Sequence, residues 1–382
     1  MRTLKAALAL LIITLSFLSG QAQTRFDNLE FKQFSTPEGL PNSMVHQVYQ
    51  DRDGYIWIST FYGLFRYDGY EVRTYKSNLY TPGLLVNNNV ICVEEDYSHR
   101  LWIGTHEGLC VLDKQTGKMR KMKLEGISKH RLNEIHVTKD NKVYLGYIRG
   151  MACYNAELDT LELMTSKNCK GEVPEQINIQ TLLEDENGDL LIGTWQDGLF
   201  HYNIKENKFI HYPPLDESNS VLALFQDSKG ALWIGTSGSG LYKVNFSPDK
   251  KTLSVEKAYK HDALNTLSLS SDYIYSIHED LQTHSLWLGT RNGVSIMDLT
   301  DEGKFINYRE SGSEHYLPVR EVNTVFRDKN GLMWIGTKGA GVFHVNTRTR
   351  PFEVFYPRGN GKSFTDIIST LYVEESGASW VG

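Results

Sequence analysis

Cysteine is scarce in this chain. There are four in 382 residues, Cys92, Cys110, Cys153 and Cys169, and none forms a C-x-x-C pair. That argues against a zinc framework of ordinary spacing, and the spacing dictates no disulfide scaffold. Cys92, Cys110 and Cys153 read as small apolar strand residues, and Cys169, in a polar stretch, as a free thiol. Beyond the first segment no apolar run approaches the roughly 20 residues that a membrane helix needs. No run of Lys or Arg is present and the formal net charge is −6, so nucleic acid is a poor partner. H-E-x-x-H and G-x-S-x-G are both missing. The chain therefore offers no catalytic residue, metal ligand or cofactor site that its motifs would name. Proline is modest, 10 residues, whereas the 32 glycines suit many tight turns.

What is present begins with a leader. "MRTLK" gives a basic head, "AALALLIITLSFL" a short apolar run, and "SGQAQ" small residues for cleavage. Residues 1–22 read as a signal peptide cut near Ala22–Gln23, too short and wrongly flanked for a stable anchor. The rest of the chain repeats itself with a period of about 45 residues. "LWIGT"-like strands place Trp57, Trp102, Trp233, Trp287, Trp334 and Trp380 in equivalent positions, with Tyr144 and Leu191 standing in for Trp in two weaker copies. Each copy runs in one order. An alternating apolar strand ends in an acid, a D-x-x-G turn follows, then the Trp strand, a Gly turn, and two further strands with aromatic spacing. Four short antiparallel strands cannot bury both faces of their sheet alone.

Stacked radially, seven such sheets close into an all-β, seven-bladed β-propeller of four-stranded antiparallel blades, expected over residues 23–357. The blade Trp residues, 57, 102, 233, 287 and 334, fill the space between blades. Gly104, Gly235, Gly289 and Gly336 beside them let crowded backbones approach. "LEFKQFS", Leu29 to Ser35, looks like a lone fourth strand that would seal the last blade, leaving "FEVFY", Phe352 to Tyr356, to a following unit. Residues 358–382 read as the truncated start of a further repeat, an incomplete eighth copy opening a second propeller in a longer chain.

This arrangement, above all "FKQFSTPEGLPNSMVHQVYQDRDGYIWISTFYGLFRYDGYEVRTY", resembles the two-component regulator propeller repeats of hybrid two-component sensors from Bacteroidetes. The resemblance covers the chain from about Phe26 onward. It implies a periplasmic sensor half, exported by its signal peptide, with two propellers ahead of an immunoglobulin-like module, an inner-membrane helix and a histidine kinase. It also implies a response to glycan fragments. The chain departs from that pattern by ending just inside the second propeller, so the second propeller and the downstream signalling domains are absent partners.

Function is sought on one face. In a four-stranded blade the turn between the second and third strands emerges beside the inter-blade connection, and loops on a rigid scaffold carry function. Those turns hold unlike residues, and Tyr62, His106, Arg149, Trp195, Arg291 and Lys338 are the candidate ligand contacts. Aromatics there suit sugar rings, and cations suit hydroxyls or acidic groups. The turn acids Asp51, Asp53, Asp185, Asp227 and Asp328 read as turn formers, since "DRDG" supplies only the beginning of a calcium loop. Expected partners are an oligosaccharide and a second copy of the chain. A propeller enzyme acting on polysaccharide and a purely structural ring are the alternative readings.

Overall fold

The computed structural model describes residue 26 and residues 29–34, 44–78, 85–122, 131–215, 219–310 and 315–347, with the backbone of 371–373 and 379–381. The proposed leader and "FEVFY" lie outside these residues. The chain divides into two units, Met1–Arg348 and Thr349–Gly382. In the second, strands Leu371–Val373 and Ser379–Val381 pair antiparallel with Tyr372 opposite Trp380. The same eight-residue offset sets Tyr49 opposite Trp57 and Phe326 opposite Trp334 in the first unit.

The described residues of the first unit include no helix and form seven sheets, each built on four antiparallel strands. The inner strands are Val45–Gln50, Val90–Glu95, Leu132–Val137, Ile179–Glu184, Val221–Gln226, Ile274–Asp280 and Val322–Arg327, which number the blades 1 to 7. Six blades use four consecutive strands. Blade 7 takes its outer strand from the start of the chain, with Lys32 opposite His344 and Gln33 opposite Phe343. The expected N-terminal seal is therefore present. Blades 4 and 6 also gain a short fifth strand, Lys170–Gly171 and His315–Tyr316, each parallel to its neighbour. The repeat pattern gave no sign of these.

Seven apolar clusters, one per blade junction, make up the core. Trp102 and Ile91 of blade 2 pack with Leu132 and Leu145 of blade 3. Trp57 meets Val90 and Leu101, Trp233 meets Ile274 and Leu286, and Trp287 meets Val322 and Met333. Tyr144 and Leu191 fill the same place toward blades 4 and 5. Trp334 packs on Val45 and Ile56 and so joins blade 7 to blade 1. Each junction buries one large ring or branched chain, at roughly 2–3 kcal/mol for the side chain. The glycine beside each Trp makes room for side chains more than for backbone, which amends the expectation. A Cβ on Gly336 would lie 2.7 Å from Val45 Cγ1 and 2.5 Å from Thr324 Cγ2.

The turn acid does more than shape its turn. Asp227 Oδ1 accepts the amides of Lys229 and Ala231, at 3.0 and 2.9 Å, while its Oδ2 accepts the indole N–H of Trp233 at 2.8 Å. Asp51–Trp57, Asp96–Trp102 and Asp328–Trp334 repeat this clasp at 2.8–2.9 Å. A buried indole N–H needs an acceptor, and an acid six residues earlier supplies one. Asp53, two residues after Asp51, meets Lys114 Nζ at 2.7 Å, and Lys114 also reaches Asp51 and Glu95. The Thr that ends the second strand holds the next turn, as Thr236 Oγ1 does by donating to the Gly240 carbonyl at 2.8 Å.

Candidate functional site at the mouth of the central cavity

Every inner strand carries a β-bulge between its first and third residues. The bulge turns the second residue toward the ring axis. Those residues are His46, Ile91, Asn133, Gln180, Leu222, Tyr275 and Asn323, and all seven line one central cavity of about 480 Å³. The residue before each strand fixes the adjoining turn. The carbonyls of Met44, Asn89, Arg131, Asn178, Ser220, Tyr273 and Glu321 accept the first amide of the turn between the second and third strands, from Phe61, His106, Ile148, Trp195, Ser237, Arg291 and Lys338. These turns therefore crowd the entrance to the inner strands, on the face expected from topology.

Of the six candidate contacts, the structure brings two together at the cavity: Trp195, 40% exposed, and Lys338. Lys338 Nζ is paired with Glu321 at 2.8 Å. Tyr62, His106, Arg149 and Arg291 occupy equivalent turns on the same face and are exposed, but do not line the cavity. Tyr62 stacks edge-on with Phe61 at 5.3 Å, and the Arg291 guanidinium lies over Tyr273 at 4.9 Å. Reading only the turns missed Arg131, His46, Gln180 and Asn323. The signal for them was present: the first residue of each inner strand is apolar throughout, while its neighbours on either side change from blade to blade.

The electrostatics inside are unusual. Burial pushes Glu134 up to about 8, and the Glu94 charge on the neighbouring inner strand adds to it. Burial likewise raises Glu94 to about 7, so the two carboxyls hold protons near neutrality. Burial lowers His46 to about 4, against a 2.9 Å hydrogen bond to Asn89. Burial opposes a charged His136, yet the Glu184 contact raises it, and Glu94 and Glu134 add to this once they ionise. Asn323 spends its amide nitrogen on the Val45 carbonyl at 2.8 Å, tying blade 7 to blade 1.

A second group of polar residues lies away from the cavity. Asp185, Asp189 and His201, all buried, have ligand atoms within 4.8 Å of one another. Leu191 replaces the blade Trp here and stands opposite His201 across the strand pair. Its small side chain leaves the imidazole room, with Nε2 at 3.7 Å from Asp185 and 3.4 Å from Asp189. Lys250 from blade 5 donates to Asp185. Burial opposes ionisation of Asp185, but His201 and Lys250 overcome it and hold the carboxyl below the usual carboxylate range. His201 and Lys250 take the place of the missing indole. All four cysteines are free thiols; Cys169 packs against the blade 3–4 cluster rather than standing in an open polar loop.

Comparison with known proteins follows the same division of blades. Residues 39–62, 84–107, 216–238 and 316–339 match the family model described as two component regulator propeller. These four segments thus match two-component regulator propeller repeats, and they fall on blades 1, 2, 5 and 7. Histidine kinase P4 from Formosa agariphila is 34% identical over 67 residues, 18% of this chain and 5% of that protein. The extracellular domain of the hybrid two component system BT3049 from B. thetaiotaomicron is similar over 93% of this chain and 47% of its own, with TM-score 0.70 and 23% identity. The extracellular domain of BT4673 from the same organism gives 0.65 and 22%, over 93% and 44%. The chain spans about half the length of these two structures. Virginiamycin B lyase from Staphylococcus aureus shares the fold at TM-score 0.63 and 10% identity, over 84% of this chain and 99% of the lyase.

Proposed function

We propose that this chain is ligand-sensing sequence of a hybrid two-component system, carried to the periplasm by a leader at residues 1–22, with the sensory propeller over 23–357. Residues 358–382 then open a second propeller. The ligand is a glycan fragment that enters the central cavity, and its binding shifts the balance between arrangements of the sensor without chemistry. One observation carries this reading. The scaffold positions repeat from blade to blade, whereas the residues at the cavity mouth do not, and an exposed Trp195 stands among amides and hydroxyls there. Aromatic faces and planar amides are the groups that hold sugars. The likeness to extracellular domains of hybrid two component systems supports the setting.

Calorimetric titration with neutral and acidic oligosaccharides tests this. Binding that falls at least tenfold in Trp195→Ala, with melting unchanged and no turnover, is the expected result. A folded protein that gives no heat with any glycan would retire it in favour of a scaffold ring.

A second reading has a specific observation behind it. Glu134 faces the cavity with its proton retained near neutrality, as a general acid would be. On that reading the ring is a glycan lyase or hydrolase. Release of new reducing ends that is abolished by Glu134→Gln would establish it.

A further inference from the structure

Arg131 sets the chemistry of the cavity. It stands immediately before the inner strand of blade 3, where its carbonyl accepts the Ile148 amide at 3.3 Å, and its side chain lines the cavity. Among the described residues its guanidinium has no ion pair and no hydrogen bond. Several other cations on the ring are engaged, whereas Arg149 on the same face is exposed and does not line the cavity. Lys338 has Glu321, Arg120 has Asp159, Arg327 has Asp280 at 2.9 Å, and Arg291 has the Tyr273 ring.

Nothing charged in the cavity answers it. Burial keeps His46 neutral at pH 7 and Glu134 protonated, and it raises the Cys92 thiol well above its ordinary value. The Glu321 carboxylate is spent on Lys338. Arg131 is exposed at the cavity mouth, so its guanidinium is open to a ligand from solvent, while the part of it that is covered lowers its value from the ordinary one. A planar guanidinium in such a place fits an oxyanion, which it holds by two parallel N–H···O bonds. A cavity near 480 Å³ has room for one or two sugar rings, and Trp195 offers an aromatic face at its rim.

We propose that the cavity takes an acidic saccharide whose carboxylate or sulfate docks on Arg131 while a sugar ring rests against Trp195. This rests on the sensory reading and narrows it to anionic glycans. The amides of Gln180 and Asn323 then face hydroxyls rather than the acid.

The test titrates the full chain with digalacturonate, a sulfated galactose disaccharide and the neutral disaccharide lactose, at low and at 0.25 M salt. The expected result is that one acidic probe binds at least tenfold more tightly than lactose and weakens with salt. Arg131→Met then removes that preference, leaves lactose within twofold and does not shift melting. Arg131→Lys keeps the salt dependence but recovers only part of the affinity, since it has no fork. Whether the uronate or the sulfate wins identifies the oxyanion. Lactose binding as tightly as the acids, or acid binding that survives Arg131→Met, overturns the inference and leaves the sensory reading standing. Should Arg131→Met not fold, an acid-to-lactose preference below twofold in the native chain overturns it equally. No binding of any probe by the folded native chain retires the sensory reading together with this one.

Discussion

Blades 1, 2, 5 and 7 and blades 3, 4 and 6 share one backbone plan but hold their turns by different means. In the first set an aspartate clasps a Trp indole six residues on. Blade 3 has Thr138 and Tyr144 in those positions. Blade 4 keeps the acid but has Leu191, and meets the carboxylate with His201 and Lys250. Blade 6 carries one extra turn residue, so Trp287 donates to Ser285 at 3.0 Å, and Asp280 turns to Arg327. The segments recognised as two component regulator propeller repeats are those of the first set. The lesson is that the blade requires a filled junction and, where its turn carries an acid, a partner for that acid, and that the Trp clasp is one of several ways to supply both.

This comparison can be strained in graded steps. The largest effect is expected from Lys250→Met, which leaves the buried Asp185 and Asp189 without their lysine partner. Removing one member of a buried charge group costs about 3 kcal/mol. Adding Asp185→Asn should restore much of that, and thermal melting of the single and double variants checks it. The contribution of Asp185 depends on pH with a definite sign. Its folded value is depressed, so its stabilisation is present above the unfolded carboxylate value near 4 and is lost as pH falls through the lower folded value. Next comes the clasp itself. Trp233→Phe forfeits a charge-assisted bond and should cost about 3 kcal/mol, whereas Trp287→Phe forfeits only a hydroxyl bond and should cost about 1 kcal/mol more than the lost ring area. Equal losses in urea unfolding would show that the two sets of blades do not differ energetically at the Trp.

Glu134→Gln should act in the opposite direction. The folded value of Glu134 is raised to about 8, so the native state keeps a proton that the unfolded chain sheds above about 4.5. Stability from this group is full below that value and declines as pH rises to 8. The substitution should therefore raise stability at pH 8 by roughly 2–4 kcal/mol, the upper figure being the whole shift, and leave pH 4 nearly unchanged, read from melting curves at the two pH values. The smallest effect is expected from Thr236→Val, about 1 kcal/mol for one turn hydroxyl. Blade 3 already does without that hydroxyl, since Tyr147 ends its second strand.

The ring was legible in the sequence because it is periodic. The spacing of the Trp positions, the stand-ins Tyr144 and Leu191, and the early "LEFKQFS" strand all follow from one template. The D-x-x-G-x-x-W spacing was visible too, but reading the acid as a turn former alone overlooked the indole N–H that needs an acceptor. The blade 4 group required two facts at once: that Leu191 leaves space, and that His201 lies opposite it. The cavity was the least legible part. Its lining depends on a bulge in every inner strand, and an alternation pattern does not reveal which side the inserted residue will face. Trp195 and Lys338 could be found from the turns, whereas Arg131 needed the register.

The pairing of Lys32 with His344 also sets an order of events. The first-made strand has no partner until almost the whole ring exists, so the earliest segment of the nascent chain must wait for the seventh blade. Joining residues so far apart carries a large loop-closure cost, which makes the seal a late step. Until then the ring is an open arc with a bare edge at each end. A fragment ending short of blade 7 should therefore expose both edges, and sheet edges of that kind recruit other chains.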